Sequence, residues 1–252
     1  MISFNLISKL IMFPLYYIFH YNIIFGWAHK KYIKKFRYKK FIFDLKDFEI
    51  PLPYYSSFVF KTYELNDRII LERNLSTKHK CIIIGGGIGF VPAIVNEITK
   101  NKIIIFEINK KIINNLKNNL LNNNIKSKVY NYNLLLNNKN IKKYYYSNSN
   151  FLATSMFRKT KKKSKLKNIN YKNVKNINNF NTLIIDGEGI EKHYIDNIFV
   201  LKKIKHLIFE FHNDIFTKTE KFSIFDKLNK NGFFLKDSFI NSYYFHKLSN
   251  IK

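Results

Sequence analysis

Cysteine and arginine are scarce in this chain of 252 residues: the first scarcity excludes disulfide-rich proteins and the second disfavours nucleic-acid binding proteins. The single cysteine, Cys81, rules out an internal disulfide framework and a multi-cysteine zinc site, so a reducing compartment is the expected setting. Nearly all of the cations are lysines, whereas bidentate contacts to phosphate and to guanine favour arginine. The net charge of +27 therefore indicates a lysine excess over the whole chain, and nucleic acid is not the expected partner.

Glycine is also scarce, and half of the eight glycines lie between positions 85 and 89. The apolar run Cys81–Ile84 precedes them without alternation, which is typical of a parallel strand covered on both faces, and Cys81 is expected to be a buried, unreactive side chain. A second apolar run, Ile103–Phe106, ends in Glu107, where a nucleotide-type fold places an acid on ribose hydroxyls. The pattern predicts a strand, helix and strand unit that binds a nucleoside cofactor.

The spacing of the loop glycines excludes two common phosphate-binding motifs. A dinucleotide fingerprint would need glycine at Phe90 or at Ile88, and a P-loop would need a Gly-Lys pair followed by Ser or Thr. The spacing that is present, Gly85, Gly87 and Gly89, suits a small ligand without a pyrophosphate. A tight turn without any ligand is the structural alternative, and Glu107 at the end of the next strand favours the ligand.

A second group of polar residues follows the apolar run Leu183–Ile185. Asp186 comes directly after it, at the strand end where open α/β sheets bind ligands, and Glu188 and Glu191 follow closely. These carboxylates suit catalysis, the capping of the next helix or a hard-cation site, and no metal ligand is assigned among them. His212 follows the next predicted strand and is expected to reach the same edge of the sheet.

The rest of the chain predicts one large domain in which helices and strands alternate. Two prolines and an aromatic run at 48–60 predict a turn followed by a strand or hairpin. The lysine block at 158–167 is interpreted as a solvated loop, with an acidic-substrate or phosphate-binding loop as the alternative. Further helices are expected at 64–75, 112–121, 191–201 and 218–230, and further strands at 129–132, 207–211, 233–236 and 242–246.

The first 27 residues are apolar and aromatic, and a basic run follows at 30–40. Pro14, His20 and Asn22 interrupt the apolar stretch, which disfavours a membrane span, and a cleaved signal lacks its basic start and its cleavage site. Two alternatives stay open: helices packed on the catalytic domain, or an interfacial helix pair through which residues 1–40 contact an anionic membrane. The expected division is an extension at 1–47 and a catalytic domain at 48–252.

Seven local features taken together are characteristic of one enzyme family: Tyr63 and Glu64, the GGGIG loop, Phe106 with Glu107, Leu116, Asn119 with Asn122, IDGEGIE at 185–191 and FEFH at 209–212. Through them the sequence, over about Tyr63 to Tyr244, resembles the FkbM-type class I methyltransferases, which use S-adenosylmethionine. Ile83 stands where that family usually has an aspartate, two residues before the first loop glycine.

The resemblance implies an α/β, Rossmann-like class I methyltransferase fold with a mainly parallel seven-stranded sheet and an antiparallel C-terminal strand pair. It implies O-methylation of a sugar or small-molecule hydroxyl by a cytoplasmic enzyme. The alternatives are a non-catalytic membrane-surface binding protein and a nucleic-acid methyltransferase. The implied cofactor-binding residues are Gly85, Gly87, Gly89, Glu107 and Asp186, and the implied catalytic residues are Asp186, Glu188 and His212.

Overall fold

The computed structural model describes residues 23–46, 48, 50–137, 143–146, 162–187, 189–212 and 215–248. Glu188, the apolar stretch at 1–22 and the first part of the lysine block lie outside the described residues, so the predictions made for them stay predictions. Across the described residues, none of the helices has the length and apolar character needed to cross a bilayer.

Helices and strands alternate from position 81 to 130 and again from 182 to 239, and several short strands lie between these two parts. The helices are α1 Ile23–Tyr32, α2 Leu52–Val59, α3 Leu65–Asn74, α4 Phe90–Thr99, α5 Ile113–Asn122, α6 Glu191–Asp196 and α7 Lys218–Lys230. The strands are β1 Lys35–Tyr38, β2 Phe41–Asp44, β3 Cys81–Ile84, β4 Ile103–Phe106, β5 Ser127–Tyr130, β6 Asn133–Leu135, β7 Lys143–Tyr146, β8 Lys162–Lys165, β9 Asn168–Asn170, β10 Thr182–Ile185, β11 His206–Glu210, β12 Phe233–Phe239 and β13 Ser242–Lys247.

Seven of these strands form the central sheet, in the order β12-β13-β11-β10-β3-β4-β5. The strands from β11 to β5 are parallel neighbours, whereas β13 pairs antiparallel with both β11 and β12. The chain builds outwards from β3 in one direction and from β10 in the other, so the strand order reverses between these two strands. The predicted sheet, mainly parallel with an antiparallel C-terminal pair, is confirmed.

Helices cover both faces of this sheet, because alternate residues of each central strand point in opposite directions. Cys81 and Ile83 pack with α3, α4 and α5, while Ile82 and Ile84 pack in a second core with α6 and α7. The buried Cys81 confirms the sequence prediction, and burial raises the pKa of its thiol to about 12. With both faces apolar, the polar groups of the central strands collect at their ends.

The aromatic segment before the sheet differs from the prediction. The run at 48–60 was expected to contain a strand or hairpin, but the structure has the helix α2 over Leu52–Val59. Pro51 precedes this helix and Pro53 lies in its first turn, where a missing N–H costs nothing, so the prolines begin a helix rather than a turn between strands. Tyr55 and Phe58, three positions apart, are both buried on its inner side.

The hairpin of β1 and β2 packs its aromatic side chains under the same helix. The ring of Phe36 in β1 lies 5.1 Å from that of Phe58 and 5.3 Å from that of Phe90 in α4, centroid to centroid. Part of the segment at 1–47 therefore contributes to the core beside α4, and the division at position 47 stays a prediction.

Smaller differences concern the ends of several elements. The strand β5, Ser127–Tyr130, begins and ends two residues earlier than predicted, and β12, Phe233–Phe239, ends three residues later than predicted. The helix predicted at 191–201 stops at Asp196 and is followed by a 3₁₀ turn over Ile198–Val200, and Ile195, Ile198 and Leu201 are buried.

Candidate functional site

The glycine loop connects β3 to α4 at the place where the strand order of the sheet reverses. Gly85 has a φ of +93°, and a Cβ built on it would lie 1.8 Å from the carbonyl oxygen of Asp186. The amide of Asp186 donates a hydrogen bond to the carbonyl of Ile84 over 2.9 Å. The ends of β3 and β10 thus approach so closely that only glycine fits at position 85. The first loop glycine and Asp186 are therefore immediate neighbours.

Glu107, directly after β4, anchors the glycine loop. Its Oε2 accepts hydrogen bonds from the amides of Gly86 and Gly87, over 2.9 and 3.3 Å, and its Oε1 accepts one from the amide of Asn109 over 2.8 Å. Burial raises the pKa of this carboxyl, and the hydrogen bonds from the backbone amides act in the opposite direction. Position 83, where the resemblance expects an aspartate, holds an apolar isoleucine that is buried in the core. In this chain the loop amides are therefore held by Glu107, which directly follows β4.

The loop is crowded on one side and more open on the other. A Cβ at Gly86 would lie 2.5 Å from a methyl of Leu116, whereas the nearest described atom to a Cβ at Gly87 is the hydroxyl of Tyr63, at 3.8 Å. Tyr63 is buried, and its pKa is raised well above the usual value, first by burial and then by the charges of Glu64 and Asp186. The side of the loop near Gly87 therefore faces Tyr63 and the acidic groups beyond it.

Asp186 and His212 lie together at the carboxyl edge of the sheet, as their positions after neighbouring strands predict. The Nε2 of His212 lies 3.7 Å from Oδ1 of Asp186 and 3.5 Å from Oε1 of Glu191. Glu191 is fully buried and accepts a hydrogen bond from the amide of Gly187, which lies before the helix, instead of capping α6. Glu188, the third predicted catalytic residue, lies outside the described residues.

Further carboxylates surround Asp186. Its pKa is raised well above the usual value, first by burial and then by the negative charges of Glu64, Asp67 and Glu210, while His212 acts in the opposite direction. Asp67 in α3 is buried as well, and its pKa is also raised, mainly by burial. A hydrogen bond from the hydroxyl of Ser242 to Oδ1 of Asp67 acts against that increase.

Sequence reasoning missed the contribution of α3 to this acidic group. Asp67 lies within the helix predicted at 64–75, and its contact with Ser242 joins residues 175 positions apart. Glu210 offered a signal, because the pairing of Ile185 with Phe209 puts Glu210 level with Asp186. The sequence could therefore have indicated that Glu210, at the end of β11, lies beside Asp186, which directly follows β10.

No protein-family model matches the chain, and no curated protein is detectably similar to it. Several solved structures resemble its fold. A precorrin-6y C5,15-methyltransferase from Geobacter metallireducens is 11% identical over 71% of this chain and 84% of its own, with a TM-score of 0.43. An S-adenosylmethionine-dependent methyltransferase from Aquifex aeolicus is 11% identical over 73% and 92%, with a TM-score of 0.44. A ribosomal protein L11 methylase from Lactobacillus delbrueckii subsp. bulgaricus is 11% identical over 72% and 77%, with a TM-score of 0.46.

These likenesses are distant, and their printed names cover different acceptors. The order and direction of the strands in this chain's own sheet establish the Rossmann-like fold with the seven-stranded class I methyltransferase arrangement. The narrower FkbM-type assignment stays a resemblance carried by the residues quoted above.

Proposed function

We propose that the chain is an S-adenosylmethionine-dependent methyltransferase that methylates a hydroxyl group of a sugar or another small molecule. The observation that carries the proposal is the glycine loop anchored by Glu107 at the reversal of strand order. In open α/β sheets, ligands bind beside the carboxyl ends of the strands at such a reversal. The FkbM resemblance of the loop and of the segment at 185–191 supports the choice of cofactor and of an oxygen acceptor.

The proposed cofactor-binding residues are Gly85, Gly87, Gly89, Glu107 and Asp186. A carboxylate offers about four lone-pair sites, and backbone amides of Gly86, Gly87, Asn109 and Ile108 all act on Glu107. A ribose hydroxyl bound by Glu107 would therefore take the place of one of the longer contacts, such as the 3.3 Å bond from the amide of Gly87. The loop backbone near Gly87 would face the methionine part, since among the described residues the nearest atom to a Cβ there is the Tyr63 hydroxyl, at the ordinary contact distance of 3.8 Å.

S-adenosylmethionine supplies a methyl group bonded to a positively charged sulfur. The protein then has to align an acceptor oxygen in line with that bond and to remove one proton. We assign these tasks to Asp186 and His212, with Glu188 as a third candidate. The raised pKa of Asp186 favours this role, because a carboxylate with a raised pKa is a stronger base. The charge of the acidic group also suits a cationic ligand.

Methyl transfer from a tritiated cofactor to a panel of acceptors tests this assignment. We expect transfer to a small hydroxyl compound, and we expect Asp186→Asn to slow it by about 100-fold or more, the usual share of a general acid or base. Asp226→Asn is the matched control, because Asp226 is an exposed acid of α7 paired with Lys230. Label transferred only to RNA would replace the small-molecule acceptor by nucleic acid, and an unchanged rate in Asp186→Asn would refute its role.

The proposed contact of residues 1–40 with an anionic membrane rests on α1 in the described part of the chain. Trp27 and Tyr32 are 72% and 77% exposed on this helix, and Lys30 and Lys31 lie between them. Exposed aromatic rings beside lysines are typical of helices that lie at a membrane surface. A protein that bound vesicles but no S-adenosylhomocysteine would match the non-catalytic alternative.

A further inference from the structure

The carboxyl edge of the sheet brings together three side chains that have the donor atoms of a metal site. Asp186 directly follows β10 and Glu210 ends the neighbouring strand β11, so the pairing of Ile185 with Phe209 places them level with each other, and His212 lies two residues after Glu210. One oxygen of each carboxylate and one ring nitrogen of His212 lie within 4.8 Å of one another. A single ion placed between them would be within coordinating reach after small side-chain movements.

The carboxyl edge of the sheet is acidic, although the chain as a whole is strongly basic. Glu64, Asp67 and Glu210 form a second group with oxygens within 4.8 Å of one another, and it shares Glu210 with the first. These acids belong to a chain with only 17 acidic residues and a net charge of +27. In the part of the chain that the structure describes, no lysine or arginine forms an ion pair with Asp67, Asp186 or Glu191.

Two buried oxygen atoms at the same edge lack a hydrogen-bond partner. Glu191 is 0% exposed, and its Oε1 accepts a hydrogen bond from the amide of Gly187. Asp67 is 3% exposed, and its Oδ1 accepts a hydrogen bond from the hydroxyl of Ser242. The second oxygens, Oε2 of Glu191 and Oδ2 of Asp67, have no partner among the described residues. Buried carboxylate oxygens are normally paired, because their desolvation is costly. They indicate that a cationic or hydrogen-bonding ligand belongs at this edge.

We propose that a divalent cation binds at this edge, with Asp186, Glu210 and His212 as its protein ligands. Two carboxylates balance the charge of the ion, and water molecules in its remaining positions would donate hydrogen bonds to the free oxygens of Asp67 and Glu191. Mg²⁺ and Mn²⁺ are bound by few carboxylates together with water, whereas Ca²⁺ requires about six to eight oxygen ligands. The imidazole ligand favours Mn²⁺ over Mg²⁺.

This inference does not rest on the proposed function, because the three ligands and the free oxygens are present whether or not the chain binds a methyl donor. If both hold, Asp186 is a ligand of the ion that orients the acceptor oxygen near the glycine loop, and proton removal falls to Glu188, the third candidate named above. His212 then acts as a metal ligand in its neutral form, and Glu107, which is not a ligand, keeps the loop.

Titration of the full chain with Mn²⁺ tests the proposal without any cofactor. Protein stripped of metal with EDTA is titrated near neutral pH, and free Mn²⁺ is measured by its electron paramagnetic resonance signal. We expect saturable binding of one ion per chain, and we expect Asp186→Asn and Glu210→Gln each to weaken it by about tenfold or more. Asp226→Asn is the control with an equal change of charge and is expected to bind normally.

A thermal unfolding curve of each variant separates lost binding from lost folding. Asp186→Asn removes one negative charge from a group of neighbouring carboxylates, so the metal-free variant should stay folded. Mn²⁺ should raise the unfolding temperature of the parent chain but not that of the variant. The absence of saturable Mn²⁺ binding by folded protein would overturn the proposal. Equal Mn²⁺ affinity in the parent chain and in both carboxamide variants would overturn the assignment of the ligands.

Discussion

Titratable side chains lie at both ends of the central sheet: histidines at the amino end and carboxylates at the carboxyl end. At the amino end, His79 precedes β3, His206 begins β11 and His246 pairs with it from β13. The ring centroid of His206 lies 4.4 Å from that of His79 and 4.6 Å from that of His246. At the carboxyl end, Asp186 lies among the carboxylates described above. Both ends follow from a sheet whose faces are filled by apolar side chains.

Burial shifts pKa values at both ends, so a shifted pKa does not by itself identify the functional end. Desolvation, followed by the neighbouring histidines, lowers the pKa of His206 to about 4, and burial also lowers those of His79 and His246. A histidine with a lowered pKa is neutral at pH 7 and needs no counter-ion. A crowded carboxylate can lose its charge at that pH only by taking up a proton, and otherwise it needs a cation. The carboxyl end is therefore the end at which we expect a cationic ligand to bind.

The largest expected effect concerns the contact between β3 and β10. Gly85→Ala places a Cβ 1.8 Å from the carbonyl oxygen of Asp186 at a φ of +93°, and we expect it to lower the free energy of unfolding by roughly 3 kcal/mol or more. Gly232→Ala is the matched control, because φ there is +80° but the nearest atom is 3.8 Å away, so about 1 kcal/mol is expected. Urea denaturation measures both, and equal losses would show that the close contact carries no cost.

A smaller effect is expected at the histidine end. Between the ordinary pKa of 6.5 and the lowered value of about 4, the unfolded chain binds more protons at His206 than the folded chain does. Its contribution to stability is therefore complete above about pH 6.5 and is lost as the pH falls towards 4. We expect the parent chain to lose about 1 kcal/mol more between pH 7 and 5 than His206→Gln does, after allowance for the half-exposed ring.

Denaturation at several pH values measures this difference directly. The carboxyls with raised pKa values, Asp67 and Asp186, contribute in the opposite direction, but they do so in both proteins and cancel in the difference. His246→Gln should give a smaller change, because His246 is less buried. Parallel pH curves for the parent chain and His206→Gln would show that His206 makes no pH-dependent contribution to stability in this range.

Local patterns in the sequence were sufficient to predict the centre of the fold. The four-residue apolar runs of β3 and β4 and the glycine spacing between them are local, and so is the stretch of α7, predicted at 218–230 and found there. The run at 48–60 misled because its aromatic residues fit either a strand or a helix, and the prolines were interpreted as a turn. Their position in the first turn of α2 becomes visible only in the structure.

The candidate site was predictable only in part, because its remaining contacts join distant residues. The sequence placed Glu107 at a strand end with a ribose-binding role, but its bonds to loop amides 20 and 21 positions earlier need the folded unit. Asp186 and His212 were placed at one edge by strand order, whereas Asp67 reaches that edge through the packing of α3 against the C-terminal strands. Helix packing of this kind has no local sequence signal.

Isothermal titration of the full chain with S-adenosylhomocysteine tests the central claim most directly, with Glu107→Gln and Glu97→Gln measured beside it. Glu97 is a partly exposed acid of α4 paired with Lys40 and Lys100, so its variant is the control for the lost charge. We predict saturable binding by the parent chain and by Glu97→Gln, and binding weakened by about tenfold or more, about 1.4 kcal/mol, in Glu107→Gln. The absence of binding by the folded parent chain, or equal affinity in Glu107→Gln, would contradict a methyl-donor site at this loop.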